Sequence, residues 1–402
     1  MKSLLPVAIM LCTLFAAIDA AFAQTWTQTS APTTNWTSIV SSADGAQLIA
    51  ACPGTCYLST NSGITWMATN LPADIHFFNN VPNFAVLAMS ADGTKLAGAS
   101  DNNGIIGVST NGGLNWSYPT NYAEAAWESI VSSADGRTLV LTEAGAIVRA
   151  STNSGATWYP LIDLPNSGSD PQYAAMSANG NSLVVKCDGY VFATTNFGKS
   201  WQTNTLSTPC KEMAASADGT KLVMAPYGSN IYTSTNSGAN WIQQTNSPNL
   251  LWWSCASSAD GTRLAAISGT AGGSGVIYRS NDSGMTWVSN NVPEQQWSQI
   301  ISSADGNELV AIVNGNDPVA AGGIWIAHTA QSPQLNLSLS SGDLNLFWIV
   351  PSTNFVLQES PDLSAGSWQP LTNSPTLDLT NLQEQTTLAP GNNSGFFRLV
   401  AQ

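Results

Sequence analysis

Apolar residues in this chain fall in short runs of four to six, separated at close intervals by small polar residues. Trp36 to Ser41 is one such run, and Gln47 to Ala51, Cys56 to Ser59 and Thr65 to Thr69 follow it. Runs this short, bounded by Gly, Asn, Asp and Ser, predict β-strands. The separators are tight-turn signals: Ala43-Asp44-Gly45 after the first run and Asn61-Ser62-Gly63 before the last. Asp-Gly between apolar runs marks a hairpin, because both turn residues must accept positive φ. Residues 36–69 therefore read as one four-stranded antiparallel unit.

The unit recurs. Ser-Ala-Asp-Gly-x-x-Leu stands at Asp44, Asp92, Asp135, Asp218, Asp260 and Asp305, with Asn179 in an Ala-Asn-Gly copy. Successive copies are 48, 43, 44, 39, 42 and 45 residues apart. A second pattern, Ser-Thr-Asn-Ser-Gly-x-Thr-Trp, covers 59–66, 109–116, 151–158, 194–201, 234–241 and 280–287 with small variations. A period in the forties with strand-like content predicts a β-propeller, one blade per repeat. The seventh repeat lacks the second pattern after Ile324-Trp325-Ile326. Thr25-Trp26-Thr27-Gln28 matches Thr65-Trp66-Met67-Ala68, so the N-terminal strand is expected to complete that blade and remove an open sheet edge. From Ser332 the repeat disappears. Leu335 to Leu339 and Leu344 to Trp348 alternate at period two around Ser341-Gly342, which reads as a hairpin. The expected fold is all-β: a seven-bladed β-propeller over 24–330, closed by its N-terminal strand, plus a small C-terminal β-sandwich-like domain over 331–402.

Ser280-Asn281-Asp282-Ser283-Gly284-Met285-Thr286-Trp287 resembles the Asp-box of BNR-repeat, sialidase-like propellers, Ser-x-Asp-x-Gly-x-Thr-Trp. The other five copies carry Asn61, Asn111, Asn153, Asn196 and Asn236 at the Asp position. Asp-boxes occur in sialidases, xyloglucan-cleaving enzymes, sortilin-type receptors and photosystem II assembly factors, so the resemblance implies structure before activity. In such a turn the Ser and Asp oxygens accept backbone N–H bonds and the Trp packs between blades. Asn keeps a carbonyl acceptor and loses the charge. A metal site or catalytic carboxylate would not survive that change, so these boxes and the Asp-Gly turns are expected to be structural, with no metal or cofactor. The tail resembles short C-terminal β-domains on secreted proteins of Verrucomicrobia and related bacteria, through Leu357 to Ser360, Leu363 to Trp368 and Phe396 to Leu399. That likeness implies no chemistry.

Composition narrows the partners. Residues 1–23 read as a signal peptide: Lys2, an apolar run from Leu4 to Ala17, and a small-x-small site at Ala21-Phe22-Ala23. The mature protein is expected to be secreted by a bacterium to the periplasm, cell surface or exterior. No later stretch is long and apolar enough to insert in a membrane. A net charge of −14 repels phosphate backbones, which argues against nucleic acid. A monomer is expected. In an oxidising compartment Cys52 and Cys56, flanking Pro-Gly-Thr, could close a small disulfide loop, with zinc as the rival reading. Cys187 and Cys210 could pair if their loops meet, leaving Cys255 as a buried thiol.

Both turn motifs lie on one face of the predicted ring, so the loops of variable length lie on the other, where function is usually carried. Eight residues before each Asp-Gly turn stand Trp36, Phe84, Trp127, Pro171, Cys210, Trp252 and Trp297. The aromatics among them either form a stacking platform at the channel mouth or pack as wedges between blades. Asp74, Asp101, Glu124, Glu128, Glu143, Asp163, Asp170, Asp188, Glu294 and Asp317 lie on the same face, and no spacing selects a glycosidase pair among them. Glu128 and Asp188 are the acidic candidates beside the aromatics. The histidines, His76 and His328, do not assemble a triad, and the arginines do not supply the cluster that grips a sialic-acid carboxylate. The reading is a non-catalytic binding or scaffolding module for a protein or polysaccharide. A sialidase-type glycoside hydrolase or lyase is the alternative, and a surface-attachment or assembly factor the third.

Overall fold

The computed structural model describes residues 25–69, 86–100, 104–119, 125–143, 147–163, 171–269, 274–290, 292–293, 295–313, 322–329, 332–340, 343–351, 355–388 and 395–401. The sequence-predicted signal segment, Phe84 and His76 lie outside them, as do Asp74, Asp101, Glu124, Asp170, Glu294, Asp317 and the side chains of Asp163 and Pro171.

Antiparallel sheets recur along the chain, each built outward in sequence order. The first runs Ser38–Ser41, Leu48–Cys52, Thr55–Ser59, Met67–Thr69. Sheets of the same order are led by Trp127–Ser132, Pro171–Met176, Cys210–Ala215 and Leu250–Ser257. Val86–Met89 leads another, whose third strand bridges to Ser117. The sheet led by Trp297–Ser302 takes its outermost strand from the other end of the chain. Trp26–Gln28 pairs antiparallel with Ile324–His328, Trp26 opposite Ala327 and Gln28 opposite Trp325. The leading strands stand side by side, and Ser38–Ser41 touches both Val86–Met89 and Trp297–Ser302, so the circle closes. They enclose a channel of about 290 Å³.

A ring of backbone bonds ties one end of that channel. The Ala43 amide donates to Ala91 O, and Ala91, Ala134, Ala178, Ala217 and Ala259 each donate to the next alanine in the series. Ala304 then donates back to Ala43, all at 2.7–2.8 Å. These are the alanines of the Ser-Ala-Asp-Gly turns. A methyl is small enough for the turns to converge to amide–carbonyl distance, which explains why every copy has Ala there. Within each turn the carboxylate folds inward. Ser42 Oγ donates to Asp44 Oδ1 at 2.5 Å and the Ala46 amide donates to the same oxygen at 3.0 Å; Gly45 sits at φ 74°, whereas Asp44 does not take the positive φ expected of both turn residues.

The second motif docks on the first. The Ser62 amide donates to Ala46 O at 3.0 Å, and homologous bonds recur in the other boxes. Where the box is missing, the Thr329 amide makes the same bond to Asn307 O at 2.7 Å. Inside the box, Ser59 Oγ accepts from the Gly63 amide at 2.9 Å and Asn61 Oδ1 accepts from the Thr65 amide at 2.9 Å. The box glycine takes positive φ, with Gly155 at 83°. The structure puts the preceding residue there too, with Ser154 at 57° and Phe197 at 50°. The Asn-for-Asp exchange is absorbed by reversing one hydrogen bond. Asn153 Nδ2 donates to Thr157 Oγ1 at 2.9 Å, whereas Thr286 Oγ1 donates to Asp282 Oδ2 at 2.6 Å.

The core lies between sheets. Trp158 packs with Leu139 and Leu141 of its own sheet and with Ala97, Ile106 and Val108 of the preceding one. Trp26 fills the equivalent place against Ala265, Ile267 and Ile277, so it substitutes for the missing box tryptophan as well as for the missing strand. After the ring, Asn336–Ser340, Asp343–Ile349, Gln383–Leu388 and Thr376–Asp378 form one small sheet. Gln369–Pro370, Phe355–Ser360 and Phe396–Ala401 form another, and Leu346, Trp348 and Leu357 are buried among these strands.

The expected disulfides are absent. Cys52, Cys56, Cys187, Cys210 and Cys255 are all free and buried. Cys56 stands opposite Ala51 in the hairpin register, one residue from Cys52, so the pleat sends the two thiols to opposite faces. Cys52 packs toward the last sheet of the ring and Cys56 toward the second. Cys187 and Cys210 likewise belong to different clusters. Burial pushes the Cys56 and Cys210 thiols up to about 12, which keeps them unreactive.

Two outcomes follow. In unreduced protein Cys52, Cys56, Cys187, Cys210 and Cys255 resist alkylation while folded and all react in denaturant; any of these five left unlabelled after denaturation would reveal a disulfide. Trp158→Ala lowers stability by about 3–5 kcal/mol, as for other buried aromatics, whereas Asn153→Asp leaves the melting temperature nearly unchanged, because the Thr157 hydroxyl turns to donate.

Candidate functional site

The opposite end of the channel is shaped by bulges. Trp127 pairs with Glu143 and Ser129 with Thr142, so Glu128 is squeezed out of the ladder. The same shift occurs at Gln172, Lys211, Trp253 and Ser298 in the next leading strands. A bulge adds one residue and re-aims its neighbours. Here it decides which side chains meet solvent.

Of the two readings of the aromatics, the structure carries the wedge between sheets and not the stacking platform at the candidate ligand residues Trp36, Trp127, Trp252 and Trp297. Trp36, Trp127, Trp252 and Trp297 are no more than 4% exposed. Trp36 meets Tyr57 edge-on at 5.6 Å, and Trp297 lies 6.0 Å from Trp26 and 6.1 Å from Trp325. Trp252 packs against Tyr278 at 5.4 Å and Trp287 at 6.4 Å, and its Nε1 donates to Ser229 O at 3.0 Å. These rings are wedges between sheets and offer no face to a ligand in this conformation. After Trp127, Trp252 and Trp297 the bulge presents the following residue, Glu128, Trp253 or Ser298, instead.

That following residue builds a different surface. Trp253 is half-buried and meets the half-buried Tyr227 edge-on at 5.8 Å. Lys211 Nζ stands 5.3 Å from the Trp253 ring and 5.6 Å from the Tyr227 ring. Two long strands raise this shelf: Leu222–Ser229 and Leu250–Ser257 pair across neighbouring sheets, Tyr227 opposite Leu251 and Ser229 opposite Leu250. Gly269 permits the arrangement, since a Cβ there would fall 2.5 Å from Trp253 Nε1. The Trp252-Trp253 pair, beside Cys210-Lys211, was the available signal in the sequence; without the bulge it pointed to the wrong member.

Three of the acidic candidates have described side chains, and each has its own setting. Glu128 is exposed, and Asp188 is exposed and accepts from Gln172 Nε2 at 3.2 Å. Glu143 pairs with Arg149 at 3.1 Å. A carboxylate absent from the expected set, Glu212, lies on the channel wall. Its carboxylate receives bonds from Ser254 Oγ, the Gln299 side chain and the Cys255 amide, yet burial outweighs them and pushes it up to about 7. The network continues around the ring: Ser254 Oγ accepts from the Ile300 amide at 3.0 Å and Gln299 Oε1 from the Ile39 amide at 2.8 Å. Glu212 thus stitches neighbouring strands. Lys186 is buried, donates to Cys187 O, and is held below the usual lysine range by desolvation.

Glu308 sits at the far end, on the motif face. In three other turns the residue at this position reaches the next turn as a donor: Lys95 Nζ to Asp135 O at 2.5 Å, Lys221 Nζ to Asp260 O at 2.9 Å, Arg263 to Asp305 O at 2.7 Å. Glu308 instead places its carboxylate over Gly45, with His328 Nδ1 3.6 Å away and Asp305, Asp44 and Ser62 around it. Burial, then the charge of Asp305, push it up to about 8.

No family model and no curated protein matches this chain. Solved structures do. The chain is similar to YCF48 bound to D1 peptide, at 16% identity over 77% of this chain and 97% of that one, with a TM-score of 0.57. It is similar to the β-propeller domain of Cps50 (Swd1) from Myceliophteria thermophila, at 13% identity over 76% and 100%, with a TM-score of 0.60. It is also similar to the GH74 xyloglucanase from Xanthomonas campestris, at 14% identity over 81% of this chain and 59% of that one, with a TM-score of 0.57. The fold is a β-propeller. At these identities the likeness carries no activity.

The raised carboxyls set a pH dependence. Between the ordinary carboxylate range and pH 7–8, folded protein holds protons on Glu212 and Glu308 that unfolded protein has released. Their contribution is complete below about pH 4.5 and is lost as pH rises through about 7 and 8. Asp92, Asp135, Asp218, Asp260 and Asp282 act the other way. Burial alone would raise them, but their Ser, Thr and amide hydrogen bonds together hold them low, so their contribution is lost in acid. The melting temperature is therefore expected to peak around pH 4–5 and fall toward pH 8. Glu308→Gln flattens the alkaline fall; a wild-type curve flat from pH 5 to 8 would contradict this.

Proposed function

We propose that this chain is a secreted seven-bladed propeller, released by cleavage of its first 23 residues, that acts as a binding or scaffolding module for a protein or polysaccharide. The observation that carries the reading is the Trp253–Tyr227–Lys211 shelf: half-buried aromatic rings and a cation on the variable-loop face. Flat rings suit sugar faces and apolar side chains, and half-burial preorganises them. The closed series of alanine bonds supports the blade count. A structural neighbour is described as bound to a peptide, which is compatible with this use of a propeller.

The alternative is a glycoside hydrolase, favoured by the likeness to a GH74 xyloglucanase. It would need two facing carboxylates across a bond, and Glu128 and Asp188 are its candidates. The test is binding of the full chain to a glycan array and a peptide library, followed by hydrolysis assays on each hit. Trp253→Ala is expected to weaken a detected interaction by roughly 1–3 kcal/mol, by analogy with base stacking on aromatics, with the melting temperature little changed. Loss of hydrolysis in Glu128→Gln, with Trp253→Ala unaffected, would transfer the case to the enzyme.

A further inference from the structure

The alanine collar on the motif face is covered by another part of the same chain. Ala217, Ala259 and Ala304 form one buried cluster with Val350, and Ala43, Ala178, Ile349 and Leu382 pack against it. Val350 is 7% exposed although it lies just past the end of its strand. Its amide donates to Leu382 O at 3.0 Å, and Leu382 itself sits at φ 52°. A leucine in the left-handed region is costly. That conformation holds the Leu382 side chain beside Val350, against the ring. Two observations on different loops therefore meet at one place: an apolar plug on the collar and a strained turn that shapes it.

We propose that the C-terminal sheets act as an intramolecular stopper: the alanine collar is an interaction surface whose partner is the Ile349-Val350/Leu382 tip of residues 332–401, and the channel is thereby a blind pocket open only at the variable-loop face. The chemistry is complementary. The collar exposes methyl groups, and its inward amides and carbonyls already bond to one another, so only an apolar cover fits without stranding a polar group. Val350 and Leu382 supply such a cover, and seating it removes solvent from the amides that close the ring. A ligand then enters from one side alone. A partner that approaches the collar from the motif face meets Val350 and Leu382 first.

The test uses the full chain and hydrogen exchange at the collar. Val350→Asp places a charge on the methyl collar and unseats the tip. Exchange at the Ala217, Ala259 and Ala304 amides should rise roughly tenfold or more, as expected when a covering unit opens locally, and residues 332–336 should become sensitive to protease. Leu339→Asp, on a leucine 65% exposed in the same sheets, should change neither. If Val350→Asp unfolds the protein, Val350→Ala gives the same readout with a smaller rise. Unaltered collar exchange in a folded Val350→Asp protein, or equal rises in Val350→Asp and Leu339→Asp, would overturn the stopper.

Discussion

The constraint on which the structure depends is convergence. Each leading strand ends in a turn whose alanine amide finds its acceptor on the neighbouring turn, and the series returns to its start. A buried amide without a partner costs free energy comparable to a lost hydrogen bond, so each turn is held in place by the next. Several features follow from it. Alanine recurs because a larger side chain would hold the turns apart. The Asp-Gly hairpin recurs because the carboxylate satisfies its own turn without reaching across. The second motif stacks on the first through one amide bond, which keeps the outer half of each sheet in line with the inner half.

Closure shows the same economy. The box is missing from the last repeat, yet its separate jobs are done by residues far apart in sequence. Trp26 gives the ring wedge, Trp26–Gln28 the outer strand, and Thr329 the amide that docks on Asn307. The sheet that joins the two ends of the propeller is also where a carboxylate, Glu308, occupies the position of the cations in Lys95, Lys221 and Arg263.

The repeat was legible because its signals are local. Asp44-Gly45 and Asn61-Ser62-Gly63 dictate turns, and the interval between them dictates strands. The N-terminal closure was legible from the Trp26 match. The site was less so, for a physical reason: a bulge is one extra residue with no sequence marker of its own. It moved the exposed role from Trp252 to Trp253 and from Cys210 to Lys211. The cysteines were misread because proximity along a hairpin is not proximity across it. Cys52 and Cys56 look adjacent, and the pleat separates them. Leu382, the residue that aims the C-terminal sheets at the collar, sits in a backbone conformation that its side chain disfavours, so nothing in its identity announced the turn.

The amides at Asn61, Asn111, Asn153, Asn196 and Asn236 have a consequence beyond their own turns. The face they occupy already carries Asp44, Asp92, Asp135, Asp218, Asp260 and Asp305, in a chain of net charge −14. Carboxylates in all six boxes would make that face a polyanionic crown, attractive to divalent ions and hostile to any acidic neighbour. Neutral boxes keep its field low. The sheets seated there carry acids of their own, and the charge of Asp44 is felt by Glu384. Replacing charge by dipole in the turns leaves a surface on which one acidic part of the molecule can rest against another.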